Sequence, residues 1–483
     1  MKERIKSIAL ISLIFMALIL SRWVLYDGLK TNIVKNSESE VKMVNLNSYI
    51  NPQSYLISFG GMSYTKVYDQ EIRNQIWENL QPYIFTTLSN YETLKIIDEK
   101  AYVEAFSTKS ILLKMPLELR LSDLATFYGI EDIPEELAAV IPTEYLIVGD
   151  ETQSLYLLDG ASQQYYKIKS KTFTHDVSKL FEVIKSREFV EYRKVSDRFS
   201  LESTMGEDKN YLNYTLIPIQ YKYLVPNLKI QNEVDLDSEQ FDDQIRIIAK
   251  AVFGNRFDFI KRLEDINGSV IFMYGYGDKA LTITREGVVS YSQKYNANDK
   301  SSVSMAKALA LACGELEPFG VLPSGVNLIK YESKLENGIT TQIFSFNYKL
   351  GNYEVMPQNN LSADIRVVVK GNQVIHITKN VKSYIGDANL ERALGYNKMF
   401  DIDECITSNY LDVSIYYLQD NNIYDASMNS VQYHYDIRSA ISSIEMNYYQ
   451  LDETHMIPVW AVEISGRTYI FDAYTGDIIT SYR

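Results

Sequence analysis

A helix followed by several short alternating strands recurs along this chain, and this order restricts the possible fold more than any other feature. The clearest copy begins with a predicted helix over 304–316, where apolar residues return at the spacing of one helix face. Four alternating stretches follow it, at 326–331, 340–348, 363–369 and 373–377. Because short turns separate them, we expect these stretches to pair as an antiparallel meander.

The same order is predicted twice more. In the central copy, Ser238 is a candidate N-cap for a helix that ends before Gly254, and strands are predicted at 269–274, 279–284 and 288–292. In the last copy, Asp436 is predicted to cap a helix that bears Ile437, Ile441 and Ile444. The strands predicted after that helix are 457–465, 468–473 and 478–481.

The first part of the chain also mixes helices and strands. Apolar residues at every fourth position predict a helix after the candidate N-cap Asp69, with a kink at Pro82. A strand-like stretch precedes it, and a meander at 144–148, 154–158 and 164–168 comes later. The sequence therefore predicts an α+β fold, in which helices pack on one face of antiparallel sheets.

The length of 483 residues predicts two to four domains. Polar stretches suggest where the boundaries fall. The predicted segments are a cytoplasmic leader and membrane anchor (1–26), a juxtamembrane stalk (27–50), an N-terminal α+β domain (51–200), a central α+β domain (201–300) and a C-terminal α+β domain (301–483).

The anchor is predicted from a short basic leader and an apolar run. Lys2, Arg4 and Lys6 precede the apolar stretch 8–26, which is close to the roughly 20 residues a helix needs to cross a bilayer. A cleaved signal peptide is the alternative, but the paired small residues of an A-x-A-like cleavage site are absent from 20–27. We therefore expect a single-pass protein of the cell membrane, with its amino terminus in the cytoplasm and everything after Asp27 outside.

Charge and cysteine content exclude several classes of protein. The chain carries a net charge of −14, and the first 26 residues carry +3, which leaves −17 for residues 27–483. Such an acidic chain lacks the basic surface that nucleic acid requires. Two cysteines cannot form a disulfide scaffold. Cys313 lies on the apolar face of its predicted helix, which favours a buried thiol, although a disulfide with Cys405 stays an open alternative.

Catalytic, cofactor and metal motifs are not found in the sequence. Ser304 and Lys307 have the S-x-x-K spacing of penicillin-recognising enzymes, but the partner motifs of that site are missing, and helix capping explains Ser304 better. The acidic residues Asp235, Asp237 and Glu239 lack the glycine of a calcium loop. We therefore predict a protein that is not an enzyme and needs no cofactor. A pair of glycosidase carboxylates among 62 acidic residues stays open.

Five stretches, together with the basic leader and single anchor, resemble the YycH and YycI proteins. These stretches are 251–259 (AVFGNRFDF), 273–277 (MYGYG), 344–348 (FSFNY), 457–462 (IPVWAV) and 469–476 (YIFDAYTG). The last two are similar to the PepSY-like strand pair that closes YycI, so the resemblance does not decide between the two families.

This resemblance implies a three-domain ectodomain without catalytic residues. It also implies two partners, a WalK-like sensor histidine kinase that governs cell-wall metabolism and a second protein of the YycH or YycI type. Control would act through contacts between transmembrane helices and between ectodomains. The alternative is a PepSY-like ectodomain that binds or inhibits a cell-surface hydrolase or peptidase.

Small residues in the anchor are candidates for helix contacts. Ala17 and Ser21 are four residues apart and therefore lie on one helix face. Close packing of small residues is what brings membrane helices together. These two residues are our predicted contact site, and the alternative is that they are simply tolerated in a tether.

Overall fold

In the computed structural model of the protein, the described residues are 50–483, with short gaps. The gaps are 129, 131–132, 172–173, 188, 202–213, 220–223, 233–240, 267, 285–286, 297–301, 317–318, 320–325, 351–352, 357–362, 381, 387–397, 424–429 and 453. The predicted anchor, the stalk up to residue 49 and the acidic residues at 235–239 lie outside the described residues. Within 50–483, excluding the gaps, no helix is both long and apolar enough to cross a bilayer.

Eleven α-helices occur in the described part of the chain. They are α1 (Gln70–Ser89), α2 (Glu99–Ser107), α3 (Leu121–Phe127), α4 (Glu135–Ala138), α5 (Ser178–Lys185), α6 (Val195–Arg198), α7 (Phe241–Phe253), α8 (Met305–Leu316), α9 (Ile402–Ser408), α10 (Tyr410–Asp420) and α11 (Ser430–Ser439). Two short 3₁₀ helices span Gly254–Phe259 and Gly275–Gly277.

Nine strands form the first sheet. They are β1 (Ser54–Gly60), β2 (Ser63–Lys66), β3 (Tyr91–Ile97), β4 (Lys109–Lys114), β5 (Pro142–Val148), β6 (Ser154–Asp159), β7 (Gln164–Ser170), β8 (Tyr192–Lys194) and β9 (Leu216–Pro218). Their spatial order is β3-β7-β6-β5-β4-β1-β2-β8-β9, and neighbouring strands pair antiparallel. Helix α1 packs on β7, and α2 packs on β4. The sheet extends past residue 200 to Pro218, and the domain boundaries drawn from the sequence stay predictions.

Fifteen strands form the second sheet. They are β10 (Leu228–Asn232), β11 (Lys261–Glu264), β12 (Val270–Tyr274), β13 (Lys279–Ile283), β14 (Val288–Gln293), β15 (Val326–Glu336), β16 (Ile339–Leu350), β17 (Tyr353–Met356), β18 (Ile365–Lys370), β19 (Gln373–Asn380), β20 (Lys382–Gly386), β21 (Ile441–Gln450), β22 (His455–Ile464), β23 (Arg467–Asp472) and β24 (Ile478–Tyr482). The main path runs β11-β12-β13-β14-β19-β18-β16-β17-β21-β22-β10-β20. β15 pairs with β16, and β23 and β24 continue from β22. β17 and β21 pair in parallel, whereas the other pairs within the described part of this sheet are antiparallel.

One hydrophobic cluster contains residues of both sheets. It contains Leu56 and Leu146 of the first sheet together with Trp460 and Phe471 of the second. Helices add to it, since Ile406 of α9 is fully buried in the same cluster. The amino-terminal and carboxy-terminal parts of the described chain therefore bury apolar surface against each other.

Several predicted elements are confirmed. The Asp69 carboxylate accepts a hydrogen bond from the Ile72 amide (3.0 Å) and so caps α1, which continues past Pro82 to Ser89. Gly254 follows α7 with φ of +53°, the left-handed conformation typical of a residue just past a helix end. The predicted meanders form antiparallel strands, so the α+β expectation holds for the described residues.

The predicted helix around Asp436 is wrong in its extent. α11 spans Ser430–Ser439, so Asp436 lies inside the helix, and Ile441 and Ile444 belong to strand β21. Their spacing of three, typical of a helix, arises because the β21–β22 register shifts between Ile441 and Ser443. Such a bulge lets two residues three apart face the same core in a strand.

The two cysteines lie in different helices. Cys313 is buried on α8 and Cys405 is buried on α9, and these two described thiols are not bonded to each other. Burial raises the pKa of the Cys405 thiol to about 12. A buried thiol with a raised pKa packs as a small hydrophobe and has little reactivity.

Candidate functional site

Charged side chains meet where β2 of the first sheet approaches β21 of the second. The Lys66 ammonium contacts the Glu445 carboxylate and also donates to the Ile444 carbonyl oxygen (3.3 Å). The Ser54 hydroxyl donates to the same carboxylate (3.0 Å). Glu445 thus accepts from two residues of the first sheet. Burial lowers the pKa of Lys66, and the negative charge of Glu445 opposes that effect.

Arg73 of α1 lies beside the contact between Lys66 and Glu445. Its guanidinium donates to the carbonyl oxygens of Pro52 (3.1 Å) and Gln53 (2.6 Å) and lies 4.9 Å from the centre of the Tyr55 ring. These bonds attach α1 to the chain that enters β1. The Arg73 Nε atom is buried and has no hydrogen-bond partner among the described residues.

Two further charges come from the second sheet. The Glu354 carboxylate of β17 accepts hydrogen bonds from the side-chain amide nitrogens of Asn327 (2.7 Å) and Gln53 (3.4 Å). Burial raises the pKa of Glu354. Lys349 of β16 contacts the side-chain oxygen of Gln70 on α1. Burial, followed by repulsion from Arg73, lowers the pKa of Lys349 to about 8.

We call this set the polar seam. Its members are Ser54, Lys66, Arg73, Lys349, Glu354 and Glu445. Four of them, together with Gln53 and Tyr68, line a cavity of about 20 Å³, which is room for one water molecule. A water there could accept a hydrogen bond from the Arg73 Nε atom. The contacts of the seam join elements of the first sheet to elements of the second.

A second buried carboxylate lies farther along the same interface. Glu144 of β5 accepts from the hydroxyls of Tyr102 and Tyr214 (3.0 Å each) and from the Lys114 ammonium (3.1 Å). Burial would lower the pKa of Lys114, but the charge of Glu144 reverses this and the net shift is upward. The neighbouring Thr215 hydroxyl donates to the Ser442 carbonyl oxygen (3.2 Å), which continues the contact into β21.

Helices make a third contact between the two parts. Arg438 of α11 donates twice to the Asp403 carboxylate of α9 (2.6 and 3.1 Å). Its guanidinium also lies 5.0 Å from the centre of the Phe199 ring, just after α6. The amino-terminal part of the chain therefore meets the carboxy-terminal part through strands and helices alike.

The residues singled out in the sequence have structural roles where they are described. The Ser304 hydroxyl accepts a hydrogen bond from the Lys307 amide (3.4 Å) and caps α8. Ala17, Ser21 and the acidic residues at 235–239 lie outside the described residues. In the described part of the chain, no group of histidine, cysteine or acidic side chains is arranged to hold a metal ion.

Comparison with known proteins gives one similarity. The chain matches no protein-family model and no curated protein sequence. Its structure is similar to the crystal structure of YycH from Bacillus subtilis, with a TM-score of 0.46 and 13% sequence identity over 88% of this chain and 96% of that chain. YycH is one of the two families that the sequence stretches resemble.

Proposed function

We propose that this chain is a non-enzymatic, membrane-anchored extracytoplasmic regulator of a two-component sensor histidine kinase of the WalK type. A second protein of the YycH or YycI type would act with it in the control of cell-wall metabolism. The leader and apolar run at 1–26 and the five resembling stretches support this proposal. The stretch 457–462 lies in β22 and 344–348 lies in β16, whereas 469–476 begins in β23 and continues into the turn after it.

The observation that carries the proposal is the position of the polar seam. β1 and β2 are the first described strands after the predicted stalk, and Ser54 and Lys66 connect them to Glu445 of the carboxy-terminal strands. In this proposal, a movement of the chain next to the membrane would be passed to β21 through these buried, directional contacts. A regulator needs such a link between its anchor and the surface that meets its partner.

Replacing the anchor tests the proposal. Residues 1–26 are exchanged for an unrelated single-span helix, and the expression of a kinase-dependent reporter is measured in cells. Ala17→Leu and Ser21→Leu should impair kinase control in the same assay, because bulk at a small-residue contact separates two helices. Ile19→Phe adds bulk about 200° around the helix from Ala17 and is the matched control.

Crosslinking identifies the partner. Membranes crosslinked with the full chain should yield a sensor histidine kinase, and a reporter fused after Arg483 should be active only outside the cytoplasm. Recovery of a cell-surface hydrolase or peptidase without any kinase would favour the alternative function. Unchanged reporter output after the anchor exchange would show that the helix is only a tether, and a cytoplasmic carboxy terminus would contradict the topology.

A further inference from the structure

One end of the central strands β11–β14 carries exposed aromatic side chains. Phe259 is 78% exposed and Tyr276 is fully exposed. Because Lys261 pairs with Met273 and Tyr274 pairs with Lys279, the 3₁₀ helix before β11 and the β12–β13 turn lie at the same end of the strands. The Arg256 guanidinium, 5.4 Å from the centre of the Tyr274 ring, joins the two segments.

The β12–β13 turn presents Tyr276 in a strained conformation. Its φ of +56° is in the left-handed region, between Gly275 (φ +59°) and Gly277 (φ +97°). A tyrosine is disfavoured there, whereas glycine or asparagine would fit easily. Because the ring gains no burial in return, we infer that its role involves something outside the chain.

Basic side chains surround these aromatic residues. Arg246 and Lys250 lie 5.9 and 5.6 Å from the centre of the Phe257 ring. The Lys294 amide donates to the Asp278 carbonyl oxygen (2.8 Å), so the end of β14 is here as well. We call this set the aromatic–basic tip, and it consists of Phe257, Phe259, Tyr274, Tyr276, Arg246, Lys250, Arg256, Lys261, Lys279 and Lys294.

The charge of the tip differs from that of its surroundings. The segments that carry its six basic residues also contain five acidic residues, Asp242, Asp243, Asp258, Glu264 and Asp278, whereas the whole chain carries a net charge of −14. Arg262, which follows Lys261 in β11, is paired with Asp242 (2.7 Å) and Glu264 (2.8 Å). Basic residues therefore outnumber acidic ones in these segments, although the chain as a whole is acidic.

We propose that the aromatic–basic tip docks on anionic lipid headgroups of the membrane that holds the protein. Aromatic rings are favoured at the depth of the headgroups, and nearby lysine and arginine side chains are attracted to acidic lipid. An acidic protein surface is the competing occupant, but protruding rings at a strained turn suit insertion into a fluid surface. The inference rests on the proposed anchor and not on the kinase.

Hydrogen–deuterium exchange of the full chain in nanodiscs tests this docking. Nanodiscs of phosphatidylcholine alone are compared with nanodiscs in which about one quarter of the lipid is phosphatidylglycerol. Amides at 254–261 and 274–279 should exchange at least about threefold more slowly with the anionic lipid, and about 0.5 M NaCl should remove the difference. Amides at 264–269, at the opposite end of the strands, should not change. Retention of the chain in the nanodiscs reports on the anchor separately.

Substitutions test which side chains contact the lipid. Phe259→Ser combined with Tyr276→Asn should abolish the lipid-dependent protection, and asparagine suits the left-handed turn. Ile266→Ser, at an equally exposed position of the opposite end, is the matched control and should leave the protection intact. Equal exchange in the two lipids would overturn the proposal, and so would protection that appears only when an acidic partner protein is added.

Discussion

Lys66 is an unusual residue to find at the meeting point of two sheets. Its side chain is 5% exposed, and removing a charge from water is costly unless an opposite charge and further hydrogen bonds compensate. Glu445 and the Ile444 carbonyl provide that compensation. Because these bonds are directional, we infer that they fix the orientation of one sheet against the other more than they add stability.

Lys66→Met should lower the free energy of unfolding by about 3 kcal/mol, because it leaves the Glu445 carboxylate without an opposite charge in a partly buried site. Chemical denaturation followed by circular dichroism measures the change. Combining Lys66→Met with Glu445→Gln should recover part of the loss, since no charge then remains unpaired.

The control for this prediction is an exposed ion pair of the second sheet. Lys330 lies 3.3 Å from Glu332, and both side chains are at least 40% exposed. Lys330→Met should therefore change the free energy of unfolding by less than about 1 kcal/mol. Equal losses for Lys66→Met and Lys330→Met would show that the polar seam contributes no more than a surface contact.

The burial of His175 predicts that the stability of the protein depends on pH. It is buried against Tyr83, with ring centres 4.7 Å apart, and neither ring nitrogen has a described hydrogen-bond partner. Burial lowers its pKa from 6.5, so the unfolded chain takes up a proton at a higher pH than the folded chain does. Stability should therefore fall as the pH drops below about 6.5, by at most about 1.4 kcal/mol per pH unit for this group.

His175→Phe should remove that share of the pH dependence. The measurement is the free energy of unfolding of both proteins between about pH 7.5 and pH 5.5. The wild-type chain should lose more stability than the variant across this interval. Parallel curves for the two proteins would be inconsistent with a neutral, buried His175.

At the scale of elements, repeated patterns made many helices and strands predictable. α1, α7 and α8 follow the apolar spacing of three and four, and the meanders follow alternation interrupted by turn residues. The start of β21 is wrongly predicted as helix, because its bulge reproduces a helical spacing between Ile441 and Ile444. The failure lies in a local irregularity that only the pairing with β22 reveals.

The polar seam could not be predicted from the sequence in the same way. Lys66 and Glu445 are 379 residues apart, and nothing local marks either residue as a partner of the other. With 48 basic and 62 acidic residues, the possible pairs are too numerous to rank without the fold. The one local hint is that Lys66 ends a strand whose preceding residues, Tyr64 and Thr65, are buried.

Two glycines with the same φ angle allow a test of how the last turns pack. Gly476 and Gly466 both have φ of +77°, but a Cβ atom on Gly476 would lie 2.7 Å from the Phe400 ring, whereas the space around Gly466 is open. Alanine is strained at both positions, so the difference between the variants reports the clash alone. Gly476→Ala should lower the free energy of unfolding by about 1 to 3 kcal/mol more than Gly466→Ala. Equal losses in thermal or chemical denaturation would mean that Phe400 moves aside freely.

At the scale of the whole molecule, the described residues belong to one compact unit that spans Asn45–Arg483. The first sheet and the carboxy-terminal strands share one core, although hundreds of residues separate them in the chain. Because segments that are distant in the chain share this core, domain boundaries are hard to place from the sequence alone. It also implies that the two parts should lose their structure together.

Two tryptophans can test this coupling. Trp77 is buried on α1, which packs on the first sheet. Trp460 is buried in β22, and its indole nitrogen donates to the Phe400 carbonyl oxygen (2.9 Å). With Trp23 of the predicted anchor replaced by phenylalanine, Trp77→Phe and Trp460→Phe each leave one reporter. Because the shared core and the polar seam bind the two parts, the two fluorescence transitions in denaturant should have the same midpoint.

Adding Lys66→Met to both single-tryptophan proteins makes the test sharper. If the seam couples the sheets, the substitution should lower both midpoints by a similar amount, although Lys66 lies in the first sheet. A shift confined to the Trp77 signal, or two separate midpoints before the substitution, would show that the carboxy-terminal strands fold independently. In that case a movement near the membrane could not be passed to β21 through the polar seam.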